Sequence, residues 1–331
     1  EVYHVTNLNS DGPGSFTEAV KADVQEVDGE GNVIEKPPVG RIVVFDVGGI
    51  INYPTGQKID RDYITILGQT APGDGITLTG GDLQIGNARQ NVIIRYLRVR
   101  PTNNTGAEVD GIGGQWNKDV IIDHCSTSWS VDESLTLYAG SVENSSGYEQ
   151  GSRLTVQNTI SSESLRMSGH FKGAHGYGGI LGGTNATYYR NLFAHHDSRS
   201  PRLDRVLQKT DFRNNVVYNW GVTNSAYGAE PTSPHPGSSN GLVRPSLVNY
   251  SNNYYSYGPS TVSGKRFRIF DFSSIAKEVG KTYKDVEVTP SQFYMADNYV
   301  DGSSTVTNNN WASDGINLSD ITDNVIKMEE P

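Results

Sequence analysis

The chain has a single cysteine, Cys125, among its 331 residues, so it can form no disulfide bond within itself. Cys125 lies in the apolar segment DVIIDHCSTSW, which favours a buried thiol packed as a small hydrophobic side chain. No run of apolar residues approaches the length of about 18 residues that a membrane-spanning helix needs. The sequence therefore predicts neither a disulfide framework nor a membrane span.

Positive charge is also scarce. The chain has 27 Lys and Arg residues against 37 Asp and Glu residues, which gives a formal net charge of −10. This balance argues against nucleic acid or an anionic membrane as a partner. An acidic polymer as substrate would need a locally basic cleft or bridging cations.

No secretory signal peptide is visible at the start of the chain. The sequence opens at Glu1 directly in a strand-like segment, which suits a mature, processed form. We therefore expect a secreted protein, extracellular or periplasmic, and we expect it to be a monomer.

What the chain does contain is typical of an all-β protein rich in turns. It has 37 Gly and 18 Tyr residues, and short segments rich in β-branched residues recur between Gly, Asn, Asp or Pro. Examples are Ile42 to Phe45, Val92 to Tyr96 and Leu154 to Gln157. Uneven loops between them, and few two-residue hairpin turns, favour a parallel β-helix over a sandwich or a propeller. We predict one such solenoid over residues 1–331.

A recurring asparagine marks the repeats. Asn158, Asn191, Asn215 and Asn253 each precede apolar or β-branched residues. Asparagines stacked at one turn can hydrogen-bond from coil to coil and tolerate left-handed backbone angles. The pattern predicts an asparagine ladder, with four ordinary turn residues as the alternative.

A short helix is predicted near the start of the chain, from Ser15 to Ala22. Ser15 is a suitable N-cap, and Glu18 three residues later completes the pattern of a capping box. Such a helix would cover the open end of the solenoid, where bare strand edges invite aggregation.

Basic and imidazole groups are concentrated between residues 170 and 213, against the overall acidic charge. The segment includes Lys172, His175, Arg199, Arg202 and Arg205. It predicts an anion-binding cleft, with a solvated face balanced by neighbouring aspartates as the alternative.

Carboxylates form an opposite patch upstream, at Asp110, Asp123, Asp132 and Glu133. If they close consecutive strands at one corner of a solenoid, they stack into one acidic cluster. Hard oxygen ligands of this kind suit calcium better than zinc or copper. A calcium ion beside a basic patch suits a uronic-acid polymer, because a metal ion draws charge from the sugar carboxylate and makes the neighbouring C–H more acidic. A base can then remove that proton, and the glycosidic oxygen leaves by β-elimination.

At these residues the chain resembles the polysaccharide lyase family 1 pectate lyases, from about Val2 to Trp220. The D-x-I segment of the family, followed thirteen residues later by an Asp-His pair, is matched at Asp110 and Asp123. Its Asn-to-Arg coil and R-x-P segment are matched by Asn191 and by Arg199-Ser200-Pro201.

The resemblance implies a right-handed parallel β-helix, calcium dependence and cleavage of homogalacturonan, the polygalacturonate of pectin. It implies Arg199 as the catalytic base and Lys172 as a second catalytic or substrate-binding cation. It implies Asp110 as a calcium ligand, with Asp132 or Glu133 as a second.

We expect Arg202, His175 and Arg205 to bind substrate.

Two positions depart from the family pattern, since Thr136 replaces an acidic ligand and Asp204 replaces an arginine. Arginine is normally fully protonated, with a pKa above about 12. Either a calcium-rich site lowers that pKa, or Lys172 or His175 is the base and Arg199 clamps a carboxylate.

Three other functions stay open on the sequence. A pectin lyase, or a lyase for another uronate polymer, would share the scaffold with a different charge requirement. A β-helix polygalacturonase would need a carboxylate pair around a water molecule, and its adjacent Asp pair and Gly-His-Gly are missing from the sequence. A non-catalytic carbohydrate-binding β-helix would use exposed aromatic rings, as at Tyr254, Tyr255 and Tyr257.

Overall fold

The computed structural model describes residues 1–331 apart from 24–27, 33–38, 103–107, 139–150, 205–207, 223, 232–244, 278, 284–285 and 318–324. The described chain is built almost entirely from short parallel strands in three long sheets. From Arg41 to Gly228 the chain visits sheet I, sheet II and sheet III in turn and then begins the next coil, and the described strands from Leu247 onward alternate between sheets I and II apart from a small antiparallel pair. This is a parallel β-helix, so the predicted fold class is confirmed.

Sheet I has eleven strands: Val2–Val5, Arg41–Phe45, Ile64–Leu67, Gln90–Arg95, Lys118–Asp123, Ser152–Gln157, Thr184–Tyr189, Gln208–Arg213, Leu247–Ser251, Ser291–Ala296 and Val325–Lys327. Sheet II has nine strands: Gly49–Tyr53, Ile76–Gly80, Leu97–Pro101, Ser126–Ser128, Ile160–Ser162, Leu192–Ala194, Val216–Tyr218, Tyr254–Ser256 and Tyr299–Val300. Sheet III has seven strands: Gln57–Ile59, Leu83–Ile85, Ile112–Gln115, Leu135–Tyr138, Ile180–Leu181, Arg202–Leu203 and Tyr227–Gly228.

The remaining described elements are small. A two-stranded antiparallel sheet joins Thr282–Tyr283 to Val286–Glu287. The α-helices are Phe16–Val20, Ser273–Ala276 and Ser304–Asn308, and the 3₁₀-helices are Gly68–Thr70 and Ser263–Lys265. No helix in the described ranges is long and apolar enough to cross a membrane.

The core is a column of stacked side chains inside the solenoid. One row of sheet I pairs the same inward position from coil to coil: Val43, Ile66, Ile94, Ile122, Val156, Tyr188, Phe212, Tyr250 and Met295. All nine side chains are buried. Because successive residues of a strand point to opposite faces, the in-register pairing places like residues on like residues. The row is aliphatic from Val43 to Val156, is aromatic from Tyr188 to Tyr250, and ends at Met295.

The predicted N-terminal helix forms, but it is shorter than expected and runs only over Phe16–Val20. The Ser15 hydroxyl accepts a hydrogen bond from the backbone N–H of Glu18, as an N-cap does. The backbone N–H of Ser15 donates to the carbonyl of Gly12, so the Glu18 side chain does not complete the capping box. Phe16 packs against Phe45 with ring centroids 5.7 Å apart, which joins the helix to the core of the solenoid.

An asparagine ladder exists and is longer than predicted. The side-chain oxygen of each asparagine accepts from the backbone N–H of the preceding member, at 2.9 to 3.0 Å, and the series is Asn191, Asn215, Asn253, Asn298 and Asn310. Each side-chain NH₂ except the last also donates to the oxygen of the next asparagine. All five side chains are buried, so the ladder satisfies polar groups that would otherwise be buried without partners.

The prediction that Asn158 belongs to this ladder is wrong. Thr159 takes the ladder position in its coil, and its backbone N–H donates to Asn191 Oδ1 at 3.0 Å. Asn158 lies one residue earlier with φ 51°, and Asn214 and Asn252 hold the same left-handed position in later coils. The left-handed angle therefore belongs to the residue before a ladder asparagine at the turns from sheet I to sheet II, and not to Asn309, which precedes Asn310 with φ −146° after a helix.

Cys125 occupies the same column one coil before Thr159, whose hydroxyl accepts from the Cys125 backbone N–H at 3.3 Å. The thiol is buried in the hydrophobic core, as predicted. Burial raises the pKa of the Cys125 thiol to about 12, so the reactive thiolate is scarce at neutral pH.

We predict that Asn215→Ala lowers the free energy of unfolding by about 2–4 kcal/mol, because it removes the acceptor of the buried Asn191 backbone N–H and the side-chain donor to the Tyr188 carbonyl and to Asn253 Oδ1. Chemical denaturation followed by tyrosine fluorescence measures the change. Asn214→Gly is the matched control: this exposed neighbour has φ 55°, which glycine tolerates, and the change should stay within about 0.5 kcal/mol. Equal losses in both variants would contradict a stabilising role of the ladder.

Candidate active site

The predicted site residues collect at the corner where the chain passes from sheet II to sheet III. Asp110, Glu133, Tyr177 and Arg199 each lie two or three residues before a strand of sheet III. Glu133 pairs with Tyr177, and Tyr177 with Ser198, as parallel bridges between coils. Because these coils are in register, side chains that are 20 or more residues apart in sequence lie one above another.

Close packing of the backbone at this corner requires glycine beside Asp110. A Cβ atom added to Gly111 would lie 2.1 Å from the carbonyl oxygen of Ser134 on the next coil. The backbone N–H of Gly111 donates to the carbonyl of Glu133 at 2.9 Å. The Asp-Gly pair of the sequence motif therefore places the Asp110 carboxylate next to the acidic pair of the following coil.

Three carboxylates form one cluster at this corner. Asp110, Asp132 and Glu133 each contribute an oxygen atom, and these atoms lie within 4.8 Å of one another. The backbone N–H of Glu133 donates to Asp110 Oδ1 at 3.1 Å. The two coils thus bring together the three acidic residues that the sequence predicts as metal ligands, whose role stays a prediction.

The electrostatics of this cluster favour a cation. Burial, together with the neighbouring carboxylates of Asp132 and Asp82, raises the pKa of Asp110 well above its ordinary value. The Arg199 guanidinium acts in the opposite direction but does not offset these effects. A bound cation would reverse the effect, because a positive charge at this point favours the ionised carboxylates.

The donor atoms fit calcium. Asp132 is about nine-tenths buried, and its Oδ1 atom has no hydrogen-bond partner among the residues that the structure describes. A buried carboxylate oxygen without a partner is costly unless an ion or a donor binds there. Calcium takes oxygen ligands, including carboxylates, in flexible geometry. Thr136, which stands at the position of an acidic ligand in the family pattern, offers a hydroxyl that accepts from the backbone N–H of Ile180 at 3.5 Å. The third carboxylate of the cluster is that of Glu133.

Arg199 lies at the edge of the acidic cluster. Its Nη1 atom contacts Glu133 Oε1, and its guanidinium carbon lies 4.2 Å from the ring centroid of Tyr177. The backbone of Arg199 has φ 59°, a left-handed conformation that few non-glycine residues adopt. The side chain is 22% exposed, so the guanidinium is held on two sides and still reaches the surface.

The loop between Ile160–Ser162 and Ile180–Leu181 supplies the imidazoles and Lys172. The His170 and His175 rings stack with centroids 3.8 Å apart, and Phe171 stacks on the other face of His170 at 5.2 Å. The Tyr177 ring lies 4.5 Å from the His175 ring. A continuous row of rings thus leads from the exposed Phe171 down to the guanidinium of Arg199.

Lys172 is held as a cation at the mouth of the site. Its Nζ atom donates to Glu108 Oε1 at 2.7 Å and lies 5.0 Å from the ring centroid of Phe171. The hydrogen bond to Glu108 raises the pKa of Lys172 above its ordinary value. Lys172 is therefore better suited to binding a carboxylate than to removing a proton.

The tautomer of His170 follows from its hydrogen-bond partners. Its Nδ1 atom accepts a hydrogen bond from the backbone N–H of Lys172 at 3.0 Å, so the ring proton is on Nε2. That N–H donates to Asp132 Oδ2 at 3.3 Å, and Glu108 Oε1 lies 3.2 Å away. His170 therefore fixes the orientation of the Asp132 carboxylate.

Three residues that the sequence predicts for the site or its acidic cluster either have other partners or lie outside the described residues. Arg202 Nη2 pairs with Glu230 Oε1 at 3.1 Å, and the guanidinium lies over the Tyr227 ring on sheet III. Arg205 lies outside the described residues. The expectation that Asp123 joins the acidic cluster is wrong, because it ends a strand of sheet I and accepts from Arg95 and His124 at the opposite corner.

The basic segment is likewise not one patch. Arg190 lies at the turn from sheet I to sheet II and contacts the Tyr189 ring, and Arg213 pairs with Asp211. Burial lowers the pKa of His196 to about 4, so it stays neutral in the interior. Among the described residues of the segment, those that precede strands of sheet III reach the acidic cluster.

Sequence reasoning missed Glu108, Tyr177 and the orienting role of His170. Glu108 pairs with Lys172 across 64 residues of sequence, so no local pattern reveals the contact. Tyr177 pairs with Glu133 of the coil before, but it precedes its strand of sheet III by three residues and Glu133 precedes its own by two, so counting along the sequence does not align them.

Sequence comparison finds relatives of this chain among fungal proteins. The chain is 36% identical over 264 residues to a protein of Aspergillus flavus named probable pectate lyase C, covering 79% of this chain and 51% of that protein. It is 38% identical over 224 residues to the probable pectate lyase C of Emericella nidulans, covering 67% of this chain and 44% of that protein. The chain thus spans about half the length of these curated relatives. No protein-family model matches the chain.

Structure comparison finds the crystal structure of Jun a 1, the major allergen of cedar pollen, with a TM-score of 0.52. The two chains are 14% identical, and the match covers 90% of this chain and 76% of Jun a 1. That likeness concerns the fold alone. By sequence, the chain is similar over 79% of its length to fungal proteins named probable pectate lyase C.

Proposed function

We propose that this protein is a pectate lyase that cleaves polygalacturonate by calcium-assisted β-elimination. The observation that carries the proposal is the contact between Arg199 and Glu133, at the edge of the carboxylate cluster of Asp110 and Asp132. A cation site and a guanidinium side by side suit a substrate that carries one carboxylate on every sugar ring. The pectate lyase relatives support the same substrate class.

The reaction needs a base and a way to hold negative charge. The base removes the proton from C5 of a uronate ring, the C4–C5 double bond forms, and the C4–O bond breaks. The departing glycosidic oxygen then takes up a proton from the site or from water. Calcium, when bound by Asp110, Asp132 and Glu133, would supply positive charge beside the uronate carboxylate.

The residues of this chain have distinct roles in the proposal. Lys172, held charged by Glu108 at the rim, pairs with a carboxylate of the substrate. Arg199 is proposed as the base. A neighbouring carboxylate favours the charged form of a guanidinium, so the Glu133 contact opposes this role. A cation taken up by Glu133 would offset that negative charge, which links proton removal to calcium.

Sugar binding beside the charged groups is supported by the exposed ring of Phe171, which is 74% exposed at the end of the row of rings. Exposed aromatic rings at a polar cleft offer an apolar face to a sugar ring. The substrate-binding roles of Arg202, His175 and Arg205 stay predictions, as do a monomeric state and secretion.

A polygalacturonase is less well supported. An inverting hydrolase keeps its two carboxyl groups about 6.5–9.5 Å apart to admit a water molecule. The carboxylate oxygens of Asp110, Asp132 and Glu133 lie within 4.8 Å of one another, which suits a shared cation better. A non-catalytic sugar-binding role is favoured only by the stacked pair of Tyr254 and Tyr299 on sheet II, since Tyr255 is buried.

We predict that Arg199→Lys lowers kcat on polygalacturonate by at least about 100-fold, because a flexible ammonium cannot replace the planar guanidinium at the reacting carbon. Substrate affinity should change only a few-fold, since Lys172 and the cation cluster remain. The ultraviolet absorbance of the unsaturated product measures the rate, and isothermal titration measures affinity.

Arg190→Lys is the matched control for that variant. Arg190 has φ 55° and lies over the Tyr189 ring, as Arg199 lies over Tyr177, but it is at the corner between sheets I and II. Its replacement should leave the rate unchanged. Full activity in Arg199→Lys would refute the assignment of this residue, and no absorbing product from the unaltered protein would refute the lyase.

We predict that a chelator abolishes cleavage of polygalacturonate and that added calcium restores it. Asp132→Asn should raise the calcium concentration for half-maximal rate by at least about tenfold, because it removes a charged ligand. Asp119→Asn is the control, since Asp119 lies in a strand of sheet I and pairs with Arg153, away from the cluster. Full activity in excess chelator would instead indicate a calcium-free lyase of the pectin type.

A further inference from the structure

The acidic cluster has a nitrogen atom beside it. His175 Nε2 lies 3.6 Å from Asp132 Oδ1, and the histidine side chain is 11% exposed. Asp132, His170 and His175 each offer one possible ligand atom, and these three atoms lie within 4.8 Å of one another. Asp132 belongs to this group and also to the all-oxygen group with Asp110 and Glu133.

The contact between Asp132 and His175 is not a hydrogen bond. A separation of 3.6 Å is too long for one, and Asp132 Oδ1 has no partner elsewhere in the part of the chain that the structure describes. The Nδ1 atom of His175 lies 3.2 Å from the carbonyl oxygen of Ala174, which can only accept, so Nδ1 carries the proton of the neutral ring. The lone pair of Nε2 therefore points toward an unpartnered carboxylate oxygen.

His170 holds the other half of the same carboxylate. Its Nε2–H donates to Asp132 Oδ2, because its Nδ1 atom already accepts from the backbone of Lys172. An imidazole that donates in this way is a poor ligand but a good orienting group. The two histidines, which stack on each other, therefore have opposite roles toward the two oxygens of Asp132.

The spacing of these atoms suits a metal ion between them. Two ligands with bonds of about 2.1 Å and a tetrahedral angle lie about 3.4 Å apart, close to the separation observed here. Calcium prefers oxygen donors, whereas Mn²⁺, Co²⁺, Ni²⁺ and Zn²⁺ also accept imidazole nitrogen. A carboxylate oxygen and an imidazole nitrogen thus form the start of a transition-metal site.

We propose that a divalent transition-metal ion binds between Asp132 Oδ1 and His175 Nε2, with His170 fixing the carboxylate. Asp110 is the third candidate ligand, since its carboxylate shares the cluster of Asp132. The proposal does not rest on the proposed lyase activity, because it concerns metal binding in the absence of substrate. The single nitrogen donor adds affinity for such ions to a pocket whose carboxylates can also bind calcium.

Isothermal titration of the full chain, stripped of metal by a chelator and dialysed, tests the site with Co²⁺ and with Ca²⁺. His175→Gln removes the nitrogen donor, and we expect it to weaken Co²⁺ binding by at least about tenfold, while Ca²⁺ affinity changes less than about threefold. His4→Gln is the matched control, because His4 forms an exposed surface pair with Asp46 at 3.0 Å. It should leave both affinities unchanged.

Pulsed electron paramagnetic resonance of the unaltered protein with Mn²⁺ provides a readout that needs no variant. We expect a hyperfine coupling from one imidazole nitrogen. Co²⁺ binding that is equal in the unaltered protein and in folded His175→Gln, or Mn²⁺ with no nitrogen coupling, would overturn the proposal and leave the Asp132–His175 contact as an ion pair. Cleavage of polygalacturonate together with either result would keep the lyase and reject only this site.

Discussion

In the described part of the chain, the strands of the three long sheets pair with strands of the neighbouring coils, so each coil must lie in register on the last. That constraint stacks like side chains, from Val43 through Tyr188 to Met295 inside sheet I, and it places the asparagines of the ladder one above another. A shift of one residue would turn the buried face of a strand outward. The registered stacking therefore fixes the core and the positions of surface groups together.

The candidate site follows from the same stacking. Short strands of sheet III bring the loops before them to one corner, and these loops carry Asp110, the acidic pair of the next coil and Arg199. Carboxylates that would repel one another are held together by backbone bonds between coils, such as that from Gly111 to Glu133. Burial, and after it the repulsion from neighbouring carboxylates, raises the pKa of Asp110, and a bound cation would favour the ionised form.

The loop that carries His170 and His175 adds two imidazole rings to the carboxylates at this corner. The two stacked imidazoles have different tautomers because their Nδ1 atoms meet different partners, a backbone N–H at His170 and a backbone carbonyl at His175. One ring therefore donates toward Asp132 and the other presents a lone pair. His170 thus orients the Asp132 carboxylate, whereas His175 can itself act as a ligand.

Short β-branched segments and uneven loops were enough to predict the β-helix, and the charged motifs were enough to predict Asp110, Asp132, Glu133 and Arg199 as members of the site. The sequence could not place Asn158 outside the ladder or Asp123 at the corner between sheets I and II, because a turn residue and its neighbour look alike until the coils are aligned. Which charges meet depends on the alignment of the coils in three dimensions. Register between coils, and not distance along the chain, sets those contacts, as Lys172 and Glu108 illustrate.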